Sequence, residues 1–202
     1  MDCYAAAEKY FETEFHIPPK EVHAAADAAY QAYAAYKADI KKEGQAYIDY
    51  ARKNKKKILV LAGRPYHIDP EINHGIDELI TSFDFVLVTE DAVDYHMEKT
   101  SRKVLNQWTY HARMYDAARY VCTQPDMQLV QLVSFGCGID AITTVEMRDI
   151  LEQGNKLYTQ LKIDDINNLG AVRIRIRSLI AAIEAREVDI NSASATSLDQ
   201  TV

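Results

Sequence analysis

Between Gly63 and Gly75 the chain carries one guanidinium (Arg64), one phenol (Tyr66), two imidazoles (His67, His74) and two carboxylates (Asp69, Glu71). Pro65 and Pro70 fix its path. An arginine with imidazoles ahead of a helix suits phosphate or carboxylate binding, because the guanidinium is a planar fork and the helix end offers free amide donors. His67 and His74 also qualify as general acid/base groups or metal ligands. Their separation by six residues is not a spacing that zinc sites use, which favours a structural role for one imidazole, bonding a loop carbonyl.

A second candidate lies at Ser134-Phe135-Gly136-Cys137-Gly138. Glycines on both sides of Cys137 permit an unusual backbone, and a following helix N-terminus would favour a thiolate. Cys137 therefore reads either as a reactive or metal-ligating sulfur or as a small buried cysteine at a tight turn. Cys122, at a helix end, reads as packing, and Cys3 has no context. Trp108, His111 and Tyr115 fall on one helical stripe and are expected in the core, with Arg113 exposed; Tyr110 and Arg113, off that stripe, are free to face a ligand or partner. No GxGxxG or GxxxxGK[ST] string occurs, so dinucleotide or nucleoside-triphosphate binding of those kinds is not indicated.

The elements that must position these groups follow from periodicity. Ile58-Leu59-Val60-Leu61-Ala62, entered through three lysines, has the pattern of a buried parallel strand (β1). Ile76, Leu79, Ile80 and Phe83 predict a short amphipathic helix, 85–88 strand β2, 101–121 a helix, and 129–133 strand β3. A helix then runs to about Gln153 with Gly154 as its stop, and 157–163 predicts β4. Arg173, Arg175 and Arg177 alternate with apolar residues as a strand would. The continuation Val172, Ile176, Leu179, Ile180, Ile183 decides for a helix. Strands alternating with helices specify an α/β, doubly wound parallel sheet, with order 2-1-3-4 expected. Its ligands bind beyond the carboxyl ends of the strands, where 63–74, 134–140 and 164–170 collect. Residues 1–53 predict a helical segment, with a stripe of Val22, Ala26, Ala29, Tyr33, Tyr36 and Ile40 packing on the body, a coiled-coil or dimer seam being the rival that so few heptads do not press, and Gly44 as an interruption. The α/β domain is expected over 54–186, and the Ser-, Thr- and Asn-rich 187–202 reads as a flexible tail.

The 202 residues carry 23 Lys plus Arg against 30 Asp plus Glu, a formal charge of -7 that argues against a nucleic-acid partner. There is no apolar run long enough for a membrane span, and the first twenty residues carry Asp2, Glu8, Lys9, Glu12 and Glu14 where a signal peptide needs an apolar core. Three widely spaced cysteines fit a reducing compartment. The expectation is a cytoplasmic protein.

Taken together, Gly63 through Gly75, Ser134 through Asp140, and Lys162-Ile163-Asp164 with Asn168 through Leu179 resemble the dehydratase-like portion of the large CoA-substrate-specific activase proteins. These are relatives of 2-hydroxyglutaryl-CoA dehydratase and benzoyl-CoA reductase of anaerobes. The resemblance runs from about Lys55 to Arg186 and weakens through the N-terminal helices. It implies a system in which an ATP-hydrolysing activase drives electrons into a partner whose Rossmann-like domains hold iron–sulfur clusters through cysteines. By this resemblance Cys137 matches a cluster ligand; beside it, from the residues themselves, Tyr66, His67 and His74 are the catalytic candidates, and Arg64, Asp69, Asn73, Asp140 and Asp164 the ligand-binding ones. A cubane wants about four thiolates, so a [4Fe-4S] cluster would be shared with another domain or chain. The expected partners are an ATP-dependent activase domain or a sister dehydratase domain, with acyl-CoA in the full assembly. The same edge as a non-catalytic docking module is the other reading. A thiol enzyme built on Cys137 and His67 or His74 ranks last.

Overall fold

The structure, a computed structural model, describes residues 3–93, 108–134, 136, 138–163 and 169–199. It divides into two units, Met1–Glu43 and Gly44–Val202.

In the second unit, β1 (Ile58–Ala62) is buried along its whole length. It lies between β2 (Val86–Thr89) and β3 (Met127–Val133), with β4 (Thr159–Lys162) beyond β3; all pairs are parallel and the order is β2-β1-β3-β4. The unbroken apolar run of β1 is what a strand covered on both faces requires. On one face Leu59, Leu61, Val130, Leu132 and Leu161 meet Ile76, Leu79 and Ile80 of α4 (Ile76–Thr81) and Val172, Ile176, Leu179 and Ile183 of α7 (Gly170–Asp199). On the other, α5 (Thr109–Thr123) packs against β1 and β3 and runs beside α6 (Gly138–Gln153).

The connection from β1 leads to β2 on one side, while β3 pairs on the other. The carboxyl ends of β1 and β3 therefore flank a topological switch point, where such sheets open a crevice. Two short helical turns shape the β1 exit, a 3₁₀ turn at Pro65–Ile68 and α3 (Pro70–Asn73).

Three expectations change. Trp108 precedes α5 instead of lying in its core stripe and is 54% exposed, whereas His111 and Tyr115 are buried. The helix α7 continues past Arg186 to Asp199, where loss of period suggested a loose tail. The helix α2 (Pro19–Lys53) passes unbroken through Gly44, which is small because Ala92 sits against it: an added Cβ would lie 2.4 Å from the Ala92 Cβ.

The first unit is α1 (Cys3–Phe15) with the start of α2, whose first residue is Pro19, pre-set for a helical φ. Tyr4 of α1 stacks on His23 at 4.4 Å between ring centroids and donates its hydroxyl to Asp27 at 3.0 Å. No residue from Tyr4 to Glu43 is buried. Tyr30, Tyr33 and Tyr36 each show more than half of their surface. Among the described residues no helix is long and apolar enough to cross a membrane.

Candidate functional site

Gly63 ends β1 and allows the His67 ring to fold back beneath it; a Cβ there would stand 2.5 Å from His67 Nδ1. The Arg64 amide donates to that nitrogen at 3.1 Å. An Nδ1 that accepts leaves the ring proton on Nε2, which faces Ser134 Oγ at 3.0 Å and donates to it. Ser134, at the end of β3, also lies 2.9 Å from the Tyr66 hydroxyl, which accepts from Arg64 Nη1 at 2.6 Å. The second guanidinium nitrogen, Nη2, is 2.5 Å from Asp140 Oδ1 in the first turn of α6. The Ser134 amide donates to the other Asp140 oxygen at 3.4 Å. Arg64, Tyr66 and His67 from one strand end are thus joined to Ser134 and Asp140 from the other, across the switch point.

The two charges set each other's titration. Burial alone would lower the Arg64 pKa, and the bonds to Asp140 and Tyr66 outweigh it and raise it. Burial alone would raise Asp140, and contacts from His111 and Arg64 hold it below the usual carboxylate range. His111 Nε2 is 3.8 Å from Asp140, beyond hydrogen-bond length, so Arg64 is the nearer influence. The His111 ring is 6% exposed, and neither nitrogen has a hydrogen-bond partner among the described residues. Beyond it, Glu90 is buried at the β2 exit and paired with Arg113 at 2.7 Å, with Tyr110 against the guanidinium at 5.1 Å. Burial pushes Glu90 up to about 7, the Arg113 charge opposing it. Arg113 is therefore an internal ion-pair partner, where the sequence suggested an exposed one.

Other sequence candidates lie apart from this group or support it. Asn73 is buried and ties the loop together, its Nδ2 donating to the His67 carbonyl at 2.9 Å and its Oδ1 accepting from the Asp77 amide at 3.1 Å. Asp69 caps α3 by accepting from the Glu71 amide. His74 stands exposed at a left-handed turn, φ 55°. Cys137 and Asp164 lie outside the described residues. Ser134 and His111 were not singled out as site residues by sequence. Ser134 was visible as the first residue of the glycine-flanked turn, and His111 only as a polar member of an apolar stripe.

Chemically this is a fixed polar platform. The Nε2 proton makes His67 a donor toward Ser134, so the pair is not poised as nucleophile and base. The Arg64 fork is already occupied by Asp140 and Tyr66. Cys122 lies near the other end of the sheet, where its sulfur approaches the Ile150 carbonyl at 3.5 Å and burial raises its pKa. The seven residues of β3, roughly 20 Å at the usual strand rise, separate the end that α5 leads into from Ser134. No group of three or more His, Cys, Asp or Glu side chains able to hold a metal ion occurs among the described residues.

Residues 2–93 match the family described as CoA enzyme activase uncharacterised domain (DUF2229). The matched stretch holds the two N-terminal helices, β1, its Arg64–His74 loop and β2; the Ser134 and Lys162 strings fall outside it. No curated protein and no solved structure matches the chain significantly.

Proposed function

We propose that the chain is one component of a CoA enzyme activase-type system and contributes one wall of an electron-transfer site for acyl-CoA dehydration or reduction. Cys137 is its single sulfur ligand at that wall. The observation that carries this reading is the joining of the post-β1 loop to Ser134 and Asp140, which brackets Cys137 in sequence with a rigid polar platform at the switch point. The activase-related match over 2–93 supports the system. The donor set does not complete a cubane within this chain: Cys122 belongs to the other end of the sheet, and about four thiolates are wanted. Any iron–sulfur group is accordingly shared with a sister domain or an activase-bearing chain, and no chemical step is assigned to this chain alone.

The second reading, a docking module with no metal, is favoured by that same shortage of ligands. Anaerobic reconstitution with iron and sulfide in the presence of a small thiol separates the two. The shared-ligand reading expects iron at less than one cubane per chain, lost in Cys137→Ser and kept in Cys122→Ser. Iron that is absent from the wild-type chain, or equal in wild type and Cys137→Ser, removes Cys137 as a ligand and leaves the docking module.

A further inference from the structure

We propose that the Arg64 end of the platform is an oxyanion-binding site with His111 as its positioning residue: a carboxylate or phosphoryl group takes the Arg64 guanidinium, and Asp140 passes from Arg64 to His111. The inference is independent of the role of Cys137. Its starting point is one carboxylate oxygen with two claimants. Arg64 Nη2 lies 2.5 Å from Asp140 Oδ1, and His111 Nε2 lies 3.8 Å from the same atom. Neither contact is an aligned hydrogen bond: both nitrogens are buried without a hydrogen-bond partner, and so is His111 Nδ1.

Each buried polar atom left unpaired costs about 1–3 kcal/mol, so a cluster of three around one carboxylate marks a site with too few acceptors. The shortage extends along the platform. The Tyr66 hydroxyl accepts from Arg64 Nη1, and Ser134 Oγ accepts from His67 Nε2. Tyr66 and Ser134 carry two hydroxyl protons, and the 2.9 Å contact between them uses one. The other has no acceptor among the described residues. Arg64 and Tyr66 are only half-buried, which sets these surplus donors where oxygens from outside the chain reach them.

The guanidinium selects the ligand. Its planar fork matches two oxygens of a carboxylate or phosphoryl group. A neutral carbonyl does not compete with Asp140 for it, because charge-assisted hydrogen bonds are about twice as strong as neutral ones. An oxyanion that captured Arg64 without compensation would strand the buried Asp140 as an unpaired charge, which is strongly destabilising. His111 answers this. An approach of about 1 Å brings its Nε2 from 3.8 Å to hydrogen-bond length, and the ring gains the partner it lacks. The ionisable groups set against Asp140 are Arg64 from the post-β1 loop and His111 from α5, so the carboxylate has the second to go to when it leaves the first.

Trp108, the only tryptophan, stands 6.2 Å ring to ring from His111 and serves as the reporter. Its fluorescence in the whole chain is titrated with sulfate, a tetrahedral oxyanion, and separately with acetate, against chloride at matched ionic strength. A saturable change with an oxyanion and none with chloride is expected, the tighter of the two telling a phosphoryl-type ligand from a carboxylate. Bound ligand also raises the urea midpoint, and the part of that rise missing from Arg64→Gln belongs to the site. His111→Phe should weaken binding at least tenfold while the free chain unfolds at no lower urea concentration, since the imidazole makes no bond there; His111→Gln, whose amide donates to the carboxylate, should restore affinity to within about threefold. In Asp140→Asn the competitor is gone, so the oxyanion binds at least tenfold tighter and adding His111→Phe changes nothing further. A response equal in chloride, a midpoint rise equal in Arg64→Gln, which is general salting, or wild-type affinity in His111→Phe overturns the proposal. Iron retained while oxyanion binding fails, or the reverse, separates this site from the Cys137 reading.

Discussion

Asp140 ties together more of the site than any other side chain, because it meets the Arg64 guanidinium, the Ser134 amide and the edge of His111 at once. Asp140→Asn keeps the shape and removes the charge, leaving a largely buried guanidinium without its counterion. Hydrogen bonds to charged groups are worth about 1.5–3 kcal/mol, and a loss of about 2 kcal/mol at pH 7 is expected by urea denaturation. The pH dependence has a definite sign. The folded carboxyl titrates below its unfolded value, so its contribution is present above about pH 4 and disappears as pH falls through the folded pKa. Wild type and Asp140→Asn should draw together as acid protonates the carboxyl; a gap that does not narrow with falling pH would contradict the pairing. Glu90 has the opposite sign. Its folded pKa, about 7, is raised, so the folded state holds the proton more tightly and stability falls as pH rises from about 4.5 to about 7. Glu90→Gln should flatten that slope. Arg64, Tyr66, His67 and Asp140 were legible as members of one edge, because loops after parallel strands collect there. His74 and Asp69 are adjacent in sequence and do not join the platform: the Asp69 carboxylate is used in capping α3, and His74 stands exposed at the left-handed turn that ends it. That the His111 ring has no hydrogen-bond partner among the described residues has no sequence signature, since a buried histidine with a partner and one without occupy the same helical position.

Gly44 shows how an element can be read correctly in type and wrongly in purpose. A glycine within a helical pattern suggests a break, yet α2 runs through it and the missing side chain makes room for Ala92 in the turn after β2. Two effects then compete in Gly44→Ala. Helix propensity favours alanine by about 1 kcal/mol, while overpacking a closed contact costs about 1–3 kcal/mol. At 2.4 Å between two Cβ atoms, neither the end of a flexible chain, the second should win, with a net loss of about 1 kcal/mol. Ala92→Gly in the same chain should restore what Gly44→Ala removes; additive losses in the double variant would mean that the two positions do not meet. The strands were legible for a simpler reason. Continuous apolar runs of four to seven residues bounded by charge have few alternatives in an alternating α/β pattern, and the expected order 2-1-3-4, in which only the central place of β1 follows from its residues, is the one observed. The far end of α7 was not legible, because its Ser- and Asn-rich sequence has lost the stripe that made Val172 to Ile183 readable.

At the scale of the molecule, burial is distributed with a sharp asymmetry: every buried residue described belongs to the unit that begins at Gly44. Local opening free energies follow buried apolar contact and hydrogen-bond protection. Within the sheet, β1, buried throughout, and β3, buried except at Gln128, are paired on both sides and should therefore hold their amide protons longest, near the global stability. Amides of α1 and of α2 before Gly44 should exchange orders of magnitude sooner, at rates set by helix fraying alone. Hydrogen exchange read by mass spectrometry on the intact chain measures both in one experiment. Equal protection in α1 and in the sheet would show that the chain unfolds as one cooperative body.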